Sequence, residues 1–312
     1  MPALTNLAYS EFTTTQANLL TDLRTAILAS ASWSRPNAGS KPSTYKATTT
    51  RGADMVFDLE DSAIDTQKMT IGVWRSYDGT TFTDKTQRYL YWRNTAGAST
   101  NVLHCIVSVS KEHVFISVEG PRGGESGTES TTNGSGRQNF FMCDMVPYFG
   151  ADTNPVVFAG GSVTAALAST SVAVNCVGHV SRDYANTTSW SQGYLATLTN
   201  PASGSSVSLN YTNKSLIDSN YYIYPYVFMS TNDGIRGRLA TFFFAGYTLP
   251  DITMSDVYAP SIGARITYDS QVYKIVYTNK AATNSGASYN QFGYHNSNNG
   301  NPNYLAIAIP AV

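Results

Sequence analysis

VLHCIVSVSKEHVFISVE, residues Val102 to Glu119, reads as two short apolar strands, Val102 to Val109 and His113 to Glu119, joined by a tight polar turn at Ser110-Lys111-Glu112. The same grammar extends in both directions. Upstream, Thr70 to Tyr77 alternates as a strand should, and Asp78-Gly79 is the dipeptide preferred in two-residue hairpin turns. Thr80 to Phe82 starts the return, and Arg88 to Arg93 is the next strand. The result is an antiparallel meander. Downstream, Gly120 to Arg137 contains no large apolar residue and is rich in glycine, which predicts a long surface loop or a flexible excursion.

Further strands are expected at Val156 to Phe158, Val172 to Val180, Gly193 to Leu198, from Tyr221 onward, and at Leu239 to Tyr247. Arg265 to Tyr268, a turn at Asp269-Ser270 and Gln271 to Tyr277 make another hairpin. An Asn/Ser/Gly-rich loop from Asn279 to Asn303 precedes a final strand, Tyr304 to Ile309. No fixed-period repeat is apparent, which argues against a propeller or solenoid.

One segment reads as a helix. From Thr14 to Ser30, Leu20, Leu23 and Ile27 recur at helical spacing with Leu19 and Leu28 beside them, and Thr13 or Thr14 is the candidate N-cap. Pro36, Gly39 and Pro42 end this arm in a polar linker. The expected fold is mainly β: an antiparallel β-sandwich or barrel-like sheets with one N-terminal amphipathic helix. The expected divisions are a helical arm and linker over 1–42, a first β-domain over 43–155, a second β-rich part over 156–250 and a C-terminal hairpin part over 251–312.

The stretch NYYIYPYVFMS (Asn220 to Ser230) holds four tyrosines and a phenylalanine. In an unbroken strand Tyr222, Tyr224, Tyr226 and Phe228 share one side. Four such rings exposed together make a patch of about 600 Å², the upper limit for a monomer, so at least one side packs on protein. Pro225 removes a ladder donor, which favours an edge strand or a bulge. These four residues, with Leu20, Leu23 and Ile27 of the helix, are the candidate subunit interface; for the helix, the competing reading is a cover for its own sheet.

Composition narrows the function. Charged residues are 13% of the 312, against about 25% in an ordinary domain, and the formal net charge is −1. Without clustered Lys and Arg, nucleic acid is not an expected partner. The N-terminus has neither a basic n-region nor an apolar h-region, and no window reaches about 20 apolar residues, so a soluble chain made in the cytoplasm, without membrane insertion, is expected. Cys105, Cys143 and Cys176 are odd in number and sit in apolar settings, as buried structural thiols do. The sequons at Asn133, Asn186, Asn210 and Asn213 read as by-products of composition.

Catalytic patterns are missing. GPRGGESG lacks the Gly-Lys-Ser/Thr ending of a phosphate loop, and neither Gly-x-Ser-x-Gly nor His-Glu-x-x-His occurs. His104 and Cys105 are adjacent on a strand and point to opposite faces, so with His113 they do not make a metal site; His179 and His295 stand elsewhere. Asp58, Glu60 and Asp61 in FDLED put Asp58 and Glu60 on one face if the segment is extended, and read as a solvated rim or a partner contact in preference to a glycosidase pair or a calcium site. No cofactor or metal is expected, and the protein is not expected to be an enzyme. Of the 21 Tyr and 4 Trp, most fall in strands. The loop rings Tyr184, Trp190, Tyr289, Phe292 and Tyr294 are the candidates for glycan contact.

A helical arm, a charge-poor β body and long Gly/Ser/Thr/Asn loops together resemble structural proteins of tailed-bacteriophage virions. Three stretches carry the resemblance: KEHVFISVEGP (Lys111 to Pro121) continuing into QNFFMCDMVPYF (Gln138 to Phe149); DGIRGRLATFFFAGYTLP (Asp233 to Pro250); and GARITYDSQVYKIVYTN (Gly263 to Asn279) ending in NYLAIAIP (Asn303 to Pro310). The resemblance implies a virion subunit, of tail or baseplate more than head, whose partners are copies of itself and other virion proteins. The alternative is a receptor-binding or lectin-like module that recognises host surface polysaccharide.

Overall fold

A computed structural model describes residues 4–39, 43–60, 68–77, 80–91, 102–119, 137–147, 156–161, 178–182, 191–195, 215–216, 221–230, 236–248, 257–258, 263, 265–278 and 306–312. The chain opens with strand β1 (Ala8–Thr15) and helix α1 (Leu19–Leu28). Then β2 (Thr44–Thr48), β3 (Asp54–Glu60), β4 (Lys68–Tyr77) and β5 (Phe82–Tyr91) form an antiparallel sheet in that order. The larger sheet takes β6 (Val102–Ser110), β7 (His113–Glu119), β8 (Arg137–Pro147), β9 (Val156–Gly161), β10 (Gly178–Arg182), β11 (Ser191–Leu195), β12 (Ser215–Leu216), β13 (Tyr221–Ser230), β14 (Arg236–Thr248), β15 (Val257–Tyr258), β16 (Arg265–Tyr268), β17 (Gln271–Thr278) and β18 (Ala306–Ala311). β1 joins that sheet beside β6, from Ala8↔Val109 to Thr15↔Val102.

The expected antiparallel β class is what the chain adopts. β8, β9, β10, β11, β13 and β14 pair successively, and β14 returns to β8 through Leu239↔Met145, Arg238↔Val146 and Gly237↔Pro147. This circuit is barrel-like, because a sheet that returns to its first strand leaves no open edge along the way. Strand pairing also runs across the divisions drawn at 42, 155 and 250: β1 joins β6, β9 joins β8, and β18 joins β14.

The N-terminal arm differs from expectation. Residues 8–15 are strand, and α1 is ten residues long, so the helix predicted from Thr14 starts five residues later. The N-cap is Asn18, without a side-chain cap. Thr13 and Thr14, the two expected caps, instead sit near the end of β1, and the Thr14 hydroxyl donates to the Asp22 carboxylate in the first turn of α1. This bond ties the end of β1 to α1 without satisfying any helix N–H. Leu19, Leu23, Ala26 and Ile27 lie on one helical stripe and are buried in the chain's own core, and Leu20 packs partly against it. Leu23 and Ile27 are fully covered, so the sequence-derived docking face of the helix is the cover over the sheet beneath it. No described helix is long and apolar enough to cross a membrane.

The main core lies between the two sheets. Tyr45, Ala47, Met55, Phe57, Leu59, Met69, Ile71 and Val73 of the small sheet face Leu103, Cys105, Val107, Val109, Val114, Ile116, Val118, Phe140 and Met142 of the large one. Alternate residues on each strand supply these sets, as the pleat requires. Phe57 is the central bridge: its ring lies 5.4 Å from Trp33, 5.2 Å from Tyr45 and 5.5 Å from Phe140. The far face of β6, β7 and β8 is buried as well, beneath β14 and β18, where Phe242 packs edge-on against Phe115 and Phe141. The middle strands are therefore covered on both sides.

Turns follow their sequence signals where these are local. The β16–β17 hairpin turns at Asp269 and Ser270, with φ of 48° and 65°. Positive φ at both central positions matches the twist of the flanking strands. β4 and β5 first pair at Tyr77↔Phe82, so their link spans 78–81 and is longer than the Asp78-Gly79 pair alone. The return strand then runs without a break through Tyr91.

Candidate functional site

The tyrosine stretch forms β13, which is an interior strand. β14 pairs along one side from Tyr221↔Tyr247 to Met229↔Arg236, while β12 takes Tyr222 and Ile223 and β11 takes Phe228 to Ser230 on the other. The edge-strand expectation gives way to its alternative, a bulge: the register with β14 shifts between Pro225 and Val227. The strict period of two that grouped Tyr222 and Tyr224 with Tyr226 and Phe228 is broken at that shift. Tyr184, Trp190, Tyr289, Phe292 and Tyr294 lie outside the described residues, as do His179's ring, His295, Cys176 and Asp61.

A fully buried, hydrogen-bonded polar group lies on the far face of the large sheet. Alternation puts Ser108 and Ser110 on one face of β6, and the tight turn pairs Ser110 with His113, bringing the imidazole to the same face. Ser108 Oγ donates to the Pro310 carbonyl at 2.7 Å, so its 2.9 Å contact with His113 Nε2 takes the ring proton. That leaves Nδ1 as the acceptor for Ser110 Oγ at 2.8 Å, and Ser110 Oγ in turn accepts from the Glu112 amide at 3.1 Å. The Trp33 indole donates to the Ser110 carbonyl at 2.9 Å. Every atom of this chain of bonds is matched. Burial holds the ring neutral, with its pKa pushed down to about 3. A neutral, completely buried imidazole with both nitrogens occupied ties β6, β7 and β18 together.

The two described cysteines are equally committed. Cys105 is in the main core, and His104, on the opposite face of β6, is exposed, as alternation requires. Cys143 lies beside Thr241, Sγ to Oγ1 3.3 Å. Burial pushes both thiols up to about 12. At pH 8 the thiolate fraction of such a group is about 10⁻⁴, against roughly a quarter for a free cysteine. Alkylation of the native protein followed by peptide mapping is therefore expected to modify Cys105 and Cys143 at least ~10³-fold more slowly than in denaturant; equal rates would refute their burial.

The acidic stretch is not a rim. Asp58 is 3% exposed, opposite Thr44 in the middle of the small sheet, while Glu60 is exposed at the end of β3. β3 is buried on both faces from Met55 to Leu59, which takes Asp58 inside with its neighbours. Among the described residues no three His, Cys, Asp or Glu side chains gather as a metal site.

A second acidic group was not legible in the sequence. Asp144 on β8 is 2% exposed, and Arg51, in the turn between β2 and β3, brings Nε to 3.8 Å from its Oδ2. Glu112 accepts from the Thr50 amide at 3.1 Å and the Thr50 hydroxyl at 2.5 Å, and its own carbonyl accepts from the Asp144 amide at 2.9 Å. Burial, then the nearby Glu112 charge, pushes the Asp144 carboxyl up to about 7, with Arg51 opposing. These residues come from three separate segments and share no local pattern. The serine–histidine group, by contrast, can be read from alternation in SVSKEH. No protein-family model, no curated protein and no solved structure matches this chain.

Proposed function

We propose that the chain is a structural subunit of a tailed-phage-type virion, of tail or baseplate class, acting by self-association and by docking to other virion proteins. The observation that carries this reading is the use made of its reactive side chains. His113, Cys105 and Cys143, three of the described buried residues of base or nucleophile type, are held inside by packing and hydrogen bonds. Together with a charge content of 13%, which keeps repulsion between many copies low, this favours an architectural role. The apolar stripe of α1 is spent internally, so the joining surface lies elsewhere than on Leu23 and Ile27. Mass photometry over a dilution series, with electron microscopy of the larger species, is the test. A discrete ring or symmetric oligomer is expected. A chain that stays monomeric at every concentration and binds surface polysaccharide through Trp190 and Tyr294 overturns the reading in favour of a receptor-binding module.

A further inference from the structure

We propose that Arg51, Glu112 and Asp144 form a proton-operated clasp that fastens the β2–β3 turn of the small sheet to the large sheet. Two fastenings exist side by side. Thr50 is tied to Glu112 by two hydrogen bonds, whereas Arg51 stands 3.8 Å from Asp144 without closing a bond: Arg51 Nε and Asp144 Oδ1 are both buried and without a hydrogen-bond partner. A buried carboxyl and a half-buried guanidinium at that separation are poised, since an ionised carboxylate gains a charge-assisted bond by drawing the guanidinium in, and a protonated one does not. The turn has room for the movement: Gly52 holds φ of +86° with open space around it, and Arg51 is 30% exposed.

The groups around Asp144 set the sign. Glu112 and Lys111 lie in the β6–β7 turn, Arg51 and Asp54 in or beside the β2–β3 turn, and the Met145 amide follows Asp144 on β8; His113 is on the opposite face. Glu112 favours the protonated form and Arg51 the ionised one. With the carboxyl titrating about neutrality, the clasp is open, held by Thr50 and Glu112 alone, in mild acid, and closed by Arg51 in mild base. This inference stands apart from the virion reading, because it concerns the fold of one chain.

The test is carbon-13 NMR of the Asp144 carboxyl in aspartate-labelled protein, assigned with Asp144→Asn, alongside amide exchange of the turn at pH 6 and pH 8 corrected for intrinsic rates. The expected midpoint is near neutral, rising in Arg51→Gln and falling in Glu112→Gln. Turn amides are expected to be several-fold better protected at pH 8 than at pH 6 in the wild type and equally protected in Asp144→Asn. A midpoint in the ordinary carboxylate range, unmoved by either neighbour, overturns the proposal. So does turn protection that changes equally with pH in the wild type and Asp144→Asn.

Discussion

Phe57→Ala is expected to remove about 3–5 kcal/mol of stability, the range for truncating a fully buried aromatic side chain. The ring is completely covered and touches Trp33, Tyr45 and Phe140 at centroid distances of 5.4, 5.2 and 5.5 Å. It is the contact through which β3 of the small sheet meets β8 of the large one. Truncation opens a cavity between two hydrogen-bonded sheets, neither of which can collapse into it without losing register. It also removes three aromatic contacts, each about 0.5–1.5 kcal/mol beyond area burial. Against a total stability of about 5–15 kcal/mol the loss is large. Phe57→Leu keeps most of the apolar volume and should recover much of it. Urea unfolding of both variants is the measurement; a loss under about 1 kcal/mol for the alanine variant would show that Phe57 does not bridge the sheets.

The strands that sequence reading found are those with a local signature. VLHCIVSVSKEHVFISVE became β6 and β7 with the predicted turn, and Arg265 to Tyr277 became β16 and β17 around Asp269 and Ser270. Each joins two short runs through a polar break, which needs no distant partner to be recognised. β3 was missed because burial on both faces abolishes alternation: Met55 to Leu59 is covered throughout. β1 carries no such signature: Ala8 and Phe12 are its apolar side chains packed on the core, its one buried residue is the polar Thr14, and the expected helix takes in its last two residues, Thr14 and Thr15. Ring closure, the interior place of β13 and the approach of Arg51 to Asp144 all depend on pairing between remote segments. Such placements are fixed by the summed packing of the sheets, and no window of sequence contains them.

Opposite faces of the large sheet carry two buried groups whose pH effects oppose each other. His113 has its pKa pushed down to about 3, so between there and the ordinary histidine value the unfolded chain binds a proton that the native state refuses. Stability from this group is full above about pH 6.5 and is lost as pH falls through that window. Asp144 is pushed up to about 7, so between the ordinary carboxylate value and 7 the native state keeps a proton that the unfolded chain releases. Its contribution is present in acid and is lost as pH rises toward 7. Each slope is about 1.4 kcal/mol per pH unit where its window is fully open, and between about pH 4 and 6.5 the two nearly cancel. Removing one therefore exposes the other. Asp144→Asn is expected to lose stability steeply on acidification, by roughly 3 kcal/mol across that window relative to wild type. His113→Gln, which replaces the imidazole by a side chain that does not titrate, is expected to lose stability by a similar amount as pH rises across it. The readout is the slope of unfolding free energy against pH, measured as wild type minus variant, so a constant offset from imperfect packing does not enter. Profiles parallel to wild type in both variants would show that neither group titrates abnormally. Slopes of opposite sign would place one buried neutral imidazole and one buried neutral carboxyl on the two faces of the same sheet.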